Sequence, residues 1–240
     1  MIDLIIPHYG SQDLLDRCLA SVRAHAHPPL NVFVHDNNSV NRGFARAVNT
    51  AVQQGTAPYV VLLNNDTVAP AGWLSPLQQI LERDTGIAGV GPLSTAPSQW
   101  QGVSNVAKWL GRDLPASGYL TTADGPFPSS LAFWCVMIRR SALELVGPLD
   151  EGYFMYGEDD DWCLRAHSLG LEFALDLSTV VRHDHRANYS AATKVHHERS
   201  REKFRRRWGD ARVDCHWSVR LADGEVPALP VRQLATDGPG

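Results

Sequence analysis

The sequence predicts an α/β protein, a single domain with a mostly parallel central sheet flanked by helices. Three observations carry that prediction. Val60 to Leu63 is an apolar run too short for a helix and suited to a strand buried on both faces. Asp3 to Pro7 and Leu30 to His35 read as two further short apolar strands. The stretches between the strands have helical periodicity, and strands joined by helices imply parallel pairing with right-handed crossovers.

In order, Pro7 is expected to end the first strand and His8 to Ser11 to make a turn, with Ser11 as helix N-cap. Leu14, Leu15, Cys18, Leu19 and Val22 then form one apolar stripe, which Pro28-Pro29 breaks. A second helix is expected from about Gly43 to Gln54, closed by Gly55. The central strand follows, then a helix after Gly72 and a fourth strand at Ile87 to Gly91. Residues 92–128 are rich in Gly, Pro, Ser and Ala, which fits a functional loop or lid; exposed Trp100 and Trp109 would suit stacking on an acceptor, but simple burial is the favoured reading for isolated tryptophans. Further strands are expected at Ser130 to Ile138, Phe173 to Leu177 and Thr179 to Arg182, with a short helix from Ser141 to Gly147.

Composition narrows the class. The chain has 240 residues, 44% hydrophobic and 20% charged, which is ordinary for a soluble globular protein. A net charge of −4 gives no footprint for nucleic acid. No apolar run is long enough to span a bilayer, and a strand begins at once where a signal peptide would stand. Cys18, Cys135, Cys163 and Cys215 are scattered without a Cys-x-x-Cys pair and read as reduced thiols of a cytoplasmic protein. One domain is expected over 1–215, with a nucleotide-binding half at 1–91, an acceptor and catalytic half at 92–190 and a terminal helix at 191–215. Residues 216–240 read as a flexible tail.

Each of the first three strands stops at polar residues: Tyr9, then Asp36-Asn37-Asn38-Ser39, then Asn64-Asn65-Asp66-Thr67. In a parallel sheet these ends share one edge, the place where open α/β sheets bind ligands. A nucleotide-sized polar ligand suits that edge, and a carboxylate such as Asp66 suits a divalent cation held against phosphate. Ordinary turn residues, with Asp66 as a helix N-cap, are the competing explanation.

The densest chemical signal is Gly157-Glu158-Asp159-Asp160-Asp161-Trp162, read as the first turn of a helix. Acids there are favoured by the helix dipole, and Asp161 can pair with Arg165 one turn on. Four adjacent carboxylates exceed what capping needs, so one of them near a ligand cleft is a candidate general base. His183 ends a strand and suits a cation site with Asp66. A zinc site from His183, His185, His196 and His197 matches no standard spacing and has no cysteine nearby. The helix at 191–208 sets a basic cluster, Arg199 to Arg207, beside Phe204 and Trp208; it reads as a docked, solvated terminal helix or as a peripheral membrane contact over 199–208.

Together these residues resemble the family 2 glycosyltransferases of the GT-A fold, particularly the rhamnosyltransferase-like and galactofuranosyltransferase-like members. The resemblance runs from about Asp3 to Trp208. It rests on Ile6-Pro7-His8-Tyr9, Asp36-Asn37-Asn38-Ser39, Asn41-Arg42-Gly43-Phe44 with Asn49, Leu63-Asn64-Asn65-Asp66-Thr67, and Gly157 to Arg165. It implies transfer of a hexosyl or deoxyhexosyl group from a nucleotide-diphosphate sugar, a UDP- or dTDP-sugar, to a glycan or lipid-linked acceptor with inversion. By the same resemblance Asp66 and His183 hold Mn²⁺ or Mg²⁺. Pro7, Tyr9, Asp36, Asn37, Arg42, Asn65 and Asp66 form the donor pocket. Asp159 is the base beside Glu158, and Trp134, Asp160 and Trp162 are candidate acceptor contacts. Gly10 replaces the usual asparagine, Asn64 the usual first aspartate, and the loop between Ser39 and Asn41 is short. A sugar nucleotidyltransferase would carry a glycine-rich loop where only Gly10 stands, and a non-catalytic binding module would be expected to lose the acid cluster, which is present.

Overall fold

The structure, a computed structural model, describes residues 1–25, 29–96, 101–121, 130–184 and 191–209. Its strands are β1 (Ile2–His8), β2 (Leu30–Asp36), β3 (Tyr59–Leu63), β4 (Thr67–Val68), β5 (Ile87–Ser94), β6 (Tyr119–Thr121), β7 (Cys135–Arg139) and β8 (Glu172–His183). Its helices are α1 (Gln12–Ala24), α2 (Phe44–Val52), α3 (Leu74–Arg83), α4 (Val103–Leu110), α5 (Arg140–Val146), α6 (Glu158–Ser168) and α7 (Ala191–Trp208).

The sheet order is β2-β1-β3-β7-β5-β8-β4, with β6 also on β8. β1 pairs in parallel with both β2 and β3, and β5 with β8. β7 runs antiparallel between β3 and β5, so β5 and β8 point the same way as the first three strands. The expected mostly parallel sheet is therefore present, with β7, β4 and β6 reversed. Reversal of β7 sets Cys135 opposite Leu63, and the Asn64 amide donates to the Trp134 carbonyl at 2.7 Å. Residues 133 and 134 are thus carried to the carboxyl edge of β3.

Alternating side chains of the central strands feed two cores. Leu4, Ile6, Val61 and Leu63 pack with Cys18 of α1 and with Trp73, Leu77 and Ile80. Ile5, Val60 and Leu62 pack on the other face with Val48 of α2, Ala142 of α5 and Trp162 and Cys163 of α6. Cys18, Cys135 and Cys163 are buried free thiols, and burial pushes the Cys18 thiol up to about 11; Cys215 lies outside the described residues.

Several expectations need correcting. Pro7 does not end β1; it pairs with His35 of β2, past Ile5 where the β3 ladder stops, so β1 has a strand on only one side there and tolerates proline. Ser11 stands at the start of α1 without a side-chain cap bond. Residue 66 is no helix cap, since α3 starts at Leu74. The strand over Ser130 to Ile138 begins only at Cys135, while Phe173 to Leu177 and Thr179 to Arg182 fuse into β8. The segment 92–128 holds α4 and β6, whose apolar residues cover Leu175 and Leu177; Trp100, the side chain of Trp109 and residues 122–128 lie outside what is described. So does the tail at 216–240. No described helix is long and apolar enough to cross a membrane.

Candidate active site

β3 delivers Asn64, Asn65 and Asp66 to its carboxyl edge, where Thr67 Oγ1 donates to the Asn64 carbonyl and closes the turn at 2.7 Å. β8 ends beside it, because Thr67 pairs with His183. As a result Asp66 Oδ1 and His183 Nε2 approach to 3.2 Å. His183 is buried, with its amide donating to Thr95 Oγ1. Asp66 Oδ1 is buried and accepts no hydrogen bond among the described residues. The Trp134 ring stacks on the His183 ring, centroids 4.7 Å apart at 17°.

The acid cluster reaches the same edge from the other side of residues 133 and 134. The Phe133 amide donates to Asp159 Oδ2 at 3.3 Å, and the Asp160 amide to Asp159 Oδ1 at 3.0 Å. Those donors favour the ionised carboxylate, and Asp159 is only partly covered. Glu158 is buried, and its Oε2 has no hydrogen-bond partner among the described residues. Burial first, and the Asp159 charge second, push the Glu158 carboxyl well above its ordinary range. Of the two, Glu158 is enclosed and Asp159 is the reachable carboxyl.

The donor-side candidates cluster at the ends of β1 and β2. Tyr9 is exposed beyond β1, and Pro7 is partly covered within it. Asp36 and Arg42 are exposed, and the Asn38 amide holds the Asp36 carboxyl below its usual value. Asn37 and Asn65 are buried and turned to local structure. Asn37 Nδ2 donates to the Gly43 carbonyl and its Oδ1 accepts from the Arg42 amide. Asn65 Nδ2 lies 2.9 Å from His8 Nδ1 and donates to the Tyr9 carbonyl. Both asparagines thus shape the loops instead of pointing amides at a ligand.

The two halves meet at Gly43. Its φ of +89° is open to glycine, and a Cβ there would collide with the Phe154 carbonyl, which accepts the Phe44 amide at 2.8 Å. The loop that leads into the acid helix therefore abuts the start of α2. Tyr156, at φ +65°, and Gly157, at +87°, then turn the chain into α6.

Trp162, expected at an acceptor, is instead wholly buried; its Nε1 donates to the Gly147 carbonyl and its ring meets Phe133 and Phe173. Trp162 joins Cys163 and Ala166 of α6 in the core on that face of the sheet. Asp160 is also buried, at 1% exposure. Asp161 pairs with Arg165 as expected, and also accepts from Trp208 Nε1 at 2.9 Å and lies 3.0 Å from Arg207. Phe204 is buried against Tyr153 and Leu164 and Trp208 packs on them, so the aromatic pair of α7 docks inward. Sequence reading missed this clamp: Ser200 Oγ donates to the Met155 carbonyl, Lys203 meets Asp150, and His196 stacks on Phe154. No local pattern marks contacts between segments so far apart. His185 lies outside the described residues, and among those described no group of three His, Cys, Asp or Glu side chains is placed to hold a metal.

The sheet order and its polar edge define a GT-A architecture, which solved structures share. One is the mannosyltransferase PcManGT from Pyrobaculum calidifontis in complex with GDP-Man and Mn²⁺, matched with TM-score 0.63 at 17% identity over 85% of this chain and 64% of that one. Another is GalNAc-T7 with UDP, GalNAc and Mn²⁺, with TM-score 0.59 at 16% identity over 84% of this chain and 47% of that one. The family model for glycosyl transferase family 2 matches residues 38–146, which supports a family 2 glycosyltransferase. It is 31% identical over 170 residues to the pre-mycofactocin glycosyltransferase of Mycobacterium tuberculosis (strain H37Rv), covering 67% of this chain and 33% of that protein. To the dTDP-rhamnosyl transferase RfbF of Shigella flexneri it is 24% identical over 136 residues, covering 55% of this chain and 45% of that protein. The chain thus spans between a third and a half of the length of these curated relatives.

The residues present fit a divalent cation. Asp66 Oδ1 and His183 Nε2, a carboxylate oxygen and an imidazole nitrogen 3.2 Å apart, are the two donors that would hold such an ion. A buried carboxylate oxygen without a hydrogen bond also leaves one ligand position in need of a partner.

Proposed function

We propose that the chain is an inverting glycosyltransferase, moving a sugar from a nucleotide-diphosphate donor to an acceptor hydroxyl on a glycan or lipid-linked sugar. The observation that carries this reading is the unbroken run of contacts from Asp66 through His183, Trp134 and Phe133 to Asp159 along one sheet edge. In this reading Pro7, Tyr9, Asp36 and Arg42 hold the nucleotide of a UDP- or dTDP-sugar. Asn37 and Asn65 fix the loops around it.

Asp66 and His183 hold Mn²⁺ or Mg²⁺, which when bound neutralises charge on the departing diphosphate. Asp159 orients the acceptor hydroxyl and takes its proton as the oxygen bonds to the anomeric carbon. The bond from that carbon to the diphosphate oxygen breaks as the new one forms on the opposite face, so the centre inverts. A positioned base of this kind contributes roughly 10²–10⁴-fold in rate. Glu158, neutral and buried, stays out of the proton transfer and keeps a second negative charge from the base.

A panel of nucleotide sugars with Mn²⁺, read by release of nucleoside diphosphate with and without EDTA, tests the reading. Release abolished by EDTA supports it. Release indifferent to EDTA removes the metal role, and donor binding without release removes the transferase.

A further inference from the structure

Trp134 holds an unusual position for an acceptor contact. Only 4% of it is exposed, and its indole Nε1–H is buried without a hydrogen-bond partner among the described residues. Its backbone is fixed, since its carbonyl accepts the Asn64 amide and the next residue opens the β7 ladder opposite Leu63. What the side chain offers its surroundings is therefore the face of the ring, and that face lies on His183. At 17° between planes the stack leaves the imidazole little freedom to rotate, and Nε2 is held facing Asp66 Oδ1.

We infer that Trp134 is a positioning residue for the metal pair: it fixes the His183 ring, so that His183 and Asp66 present their donor atoms together. The inference rests on the metal role proposed above for those two side chains. A histidine ligand is ordinarily oriented by a hydrogen bond to its second nitrogen, and loss of such support costs about 10–100-fold in metal affinity. At His183 the face of Trp134 contributes to that orienting. Because the indole N–H has no hydrogen-bond partner among the described residues, a phenyl ring serves as well as the indole for this purpose.

The test is Mn²⁺ titration of the protein alone, read by water proton relaxation, on wild type, Trp134→Phe, Trp134→Leu and His183→Ala, with thermal unfolding of each. Trp134→Phe is expected to bind Mn²⁺ within about threefold of wild type, and Trp134→Leu about 10–100-fold more weakly, both folded. Wild-type Mn²⁺ affinity in a folded Trp134→Leu, with affinity lost in His183→Ala, overturns the inference and leaves the metal role intact. So does a defect of Trp134→Leu confined to the acceptor KM. Equal loss in both Trp134 variants also overturns it, by making the indole N–H the working group. If neither wild type nor His183→Ala binds Mn²⁺, the metal role itself falls.

Discussion

The Phe133 amide donates to Asp159 Oδ2 at 3.3 Å, tying the first turn of α6 to the segment that enters β7. Because β7 runs back along β3, the same segment also reaches the Asp66 turn through the Trp134 carbonyl. The Asp159 carboxylate and the Asp66–His183 pair, far apart along the chain, are thereby held at one edge.

Asp159→Asn keeps the size of the side chain and an acceptor for the Phe133 amide, but it cannot take a proton. Turnover should fall by roughly 10²–10⁴-fold while Mn²⁺ affinity stays near wild type. Nucleoside diphosphate release beside a relaxation titration checks both halves.

Glu158 is held neutral by burial, so its folded pKa lies above the ordinary 4.5. The folded state then binds more protons than the unfolded one, and stability is lost as pH rises above about 4.5. Glu158→Gln mimics the neutral form. Its stability relative to wild type should increase with pH through neutrality, measured by urea unfolding at several pH values. A difference independent of pH would rule out a titrating Glu158.

Asp150 behaves oppositely. Partial burial acts to raise it, but Lys203, the Gly152 amide and Arg207 together hold it below the ordinary 3.8. Its contribution is present above that value and disappears as pH falls through the lower folded pKa. Asp150→Asn should therefore loosen α7 at neutral pH and converge with wild type in strong acid. Hydrogen exchange of the α7 amides at the two pH extremes reads this directly.

Trp162→Phe removes the Nε1–Gly147 hydrogen bond and part of a packed ring in the core. A loss of about 1–3 kcal/mol in unfolding free energy is expected, with the acceptor KM unchanged. A raised KM in a variant of wild-type stability would restore Trp162 to the acceptor site.

The sequence by itself determined most strands, most helices, the shared polar edge and the places of the Asp66 turn and the Glu158–Asp161 run. These are local properties, written in side-chain period and in the residues that end each run. Only the tertiary structure decided that β7 is reversed, that Trp162 faces the core, that Asn37 and Asn65 spend their amides on loops, and that α7 clamps the acid segment. Pairing direction and burial depend on which distant surfaces exclude water together. The Trp208 indole meets Asp161 only after α7 has docked, and no pattern within either segment carries that partner's address.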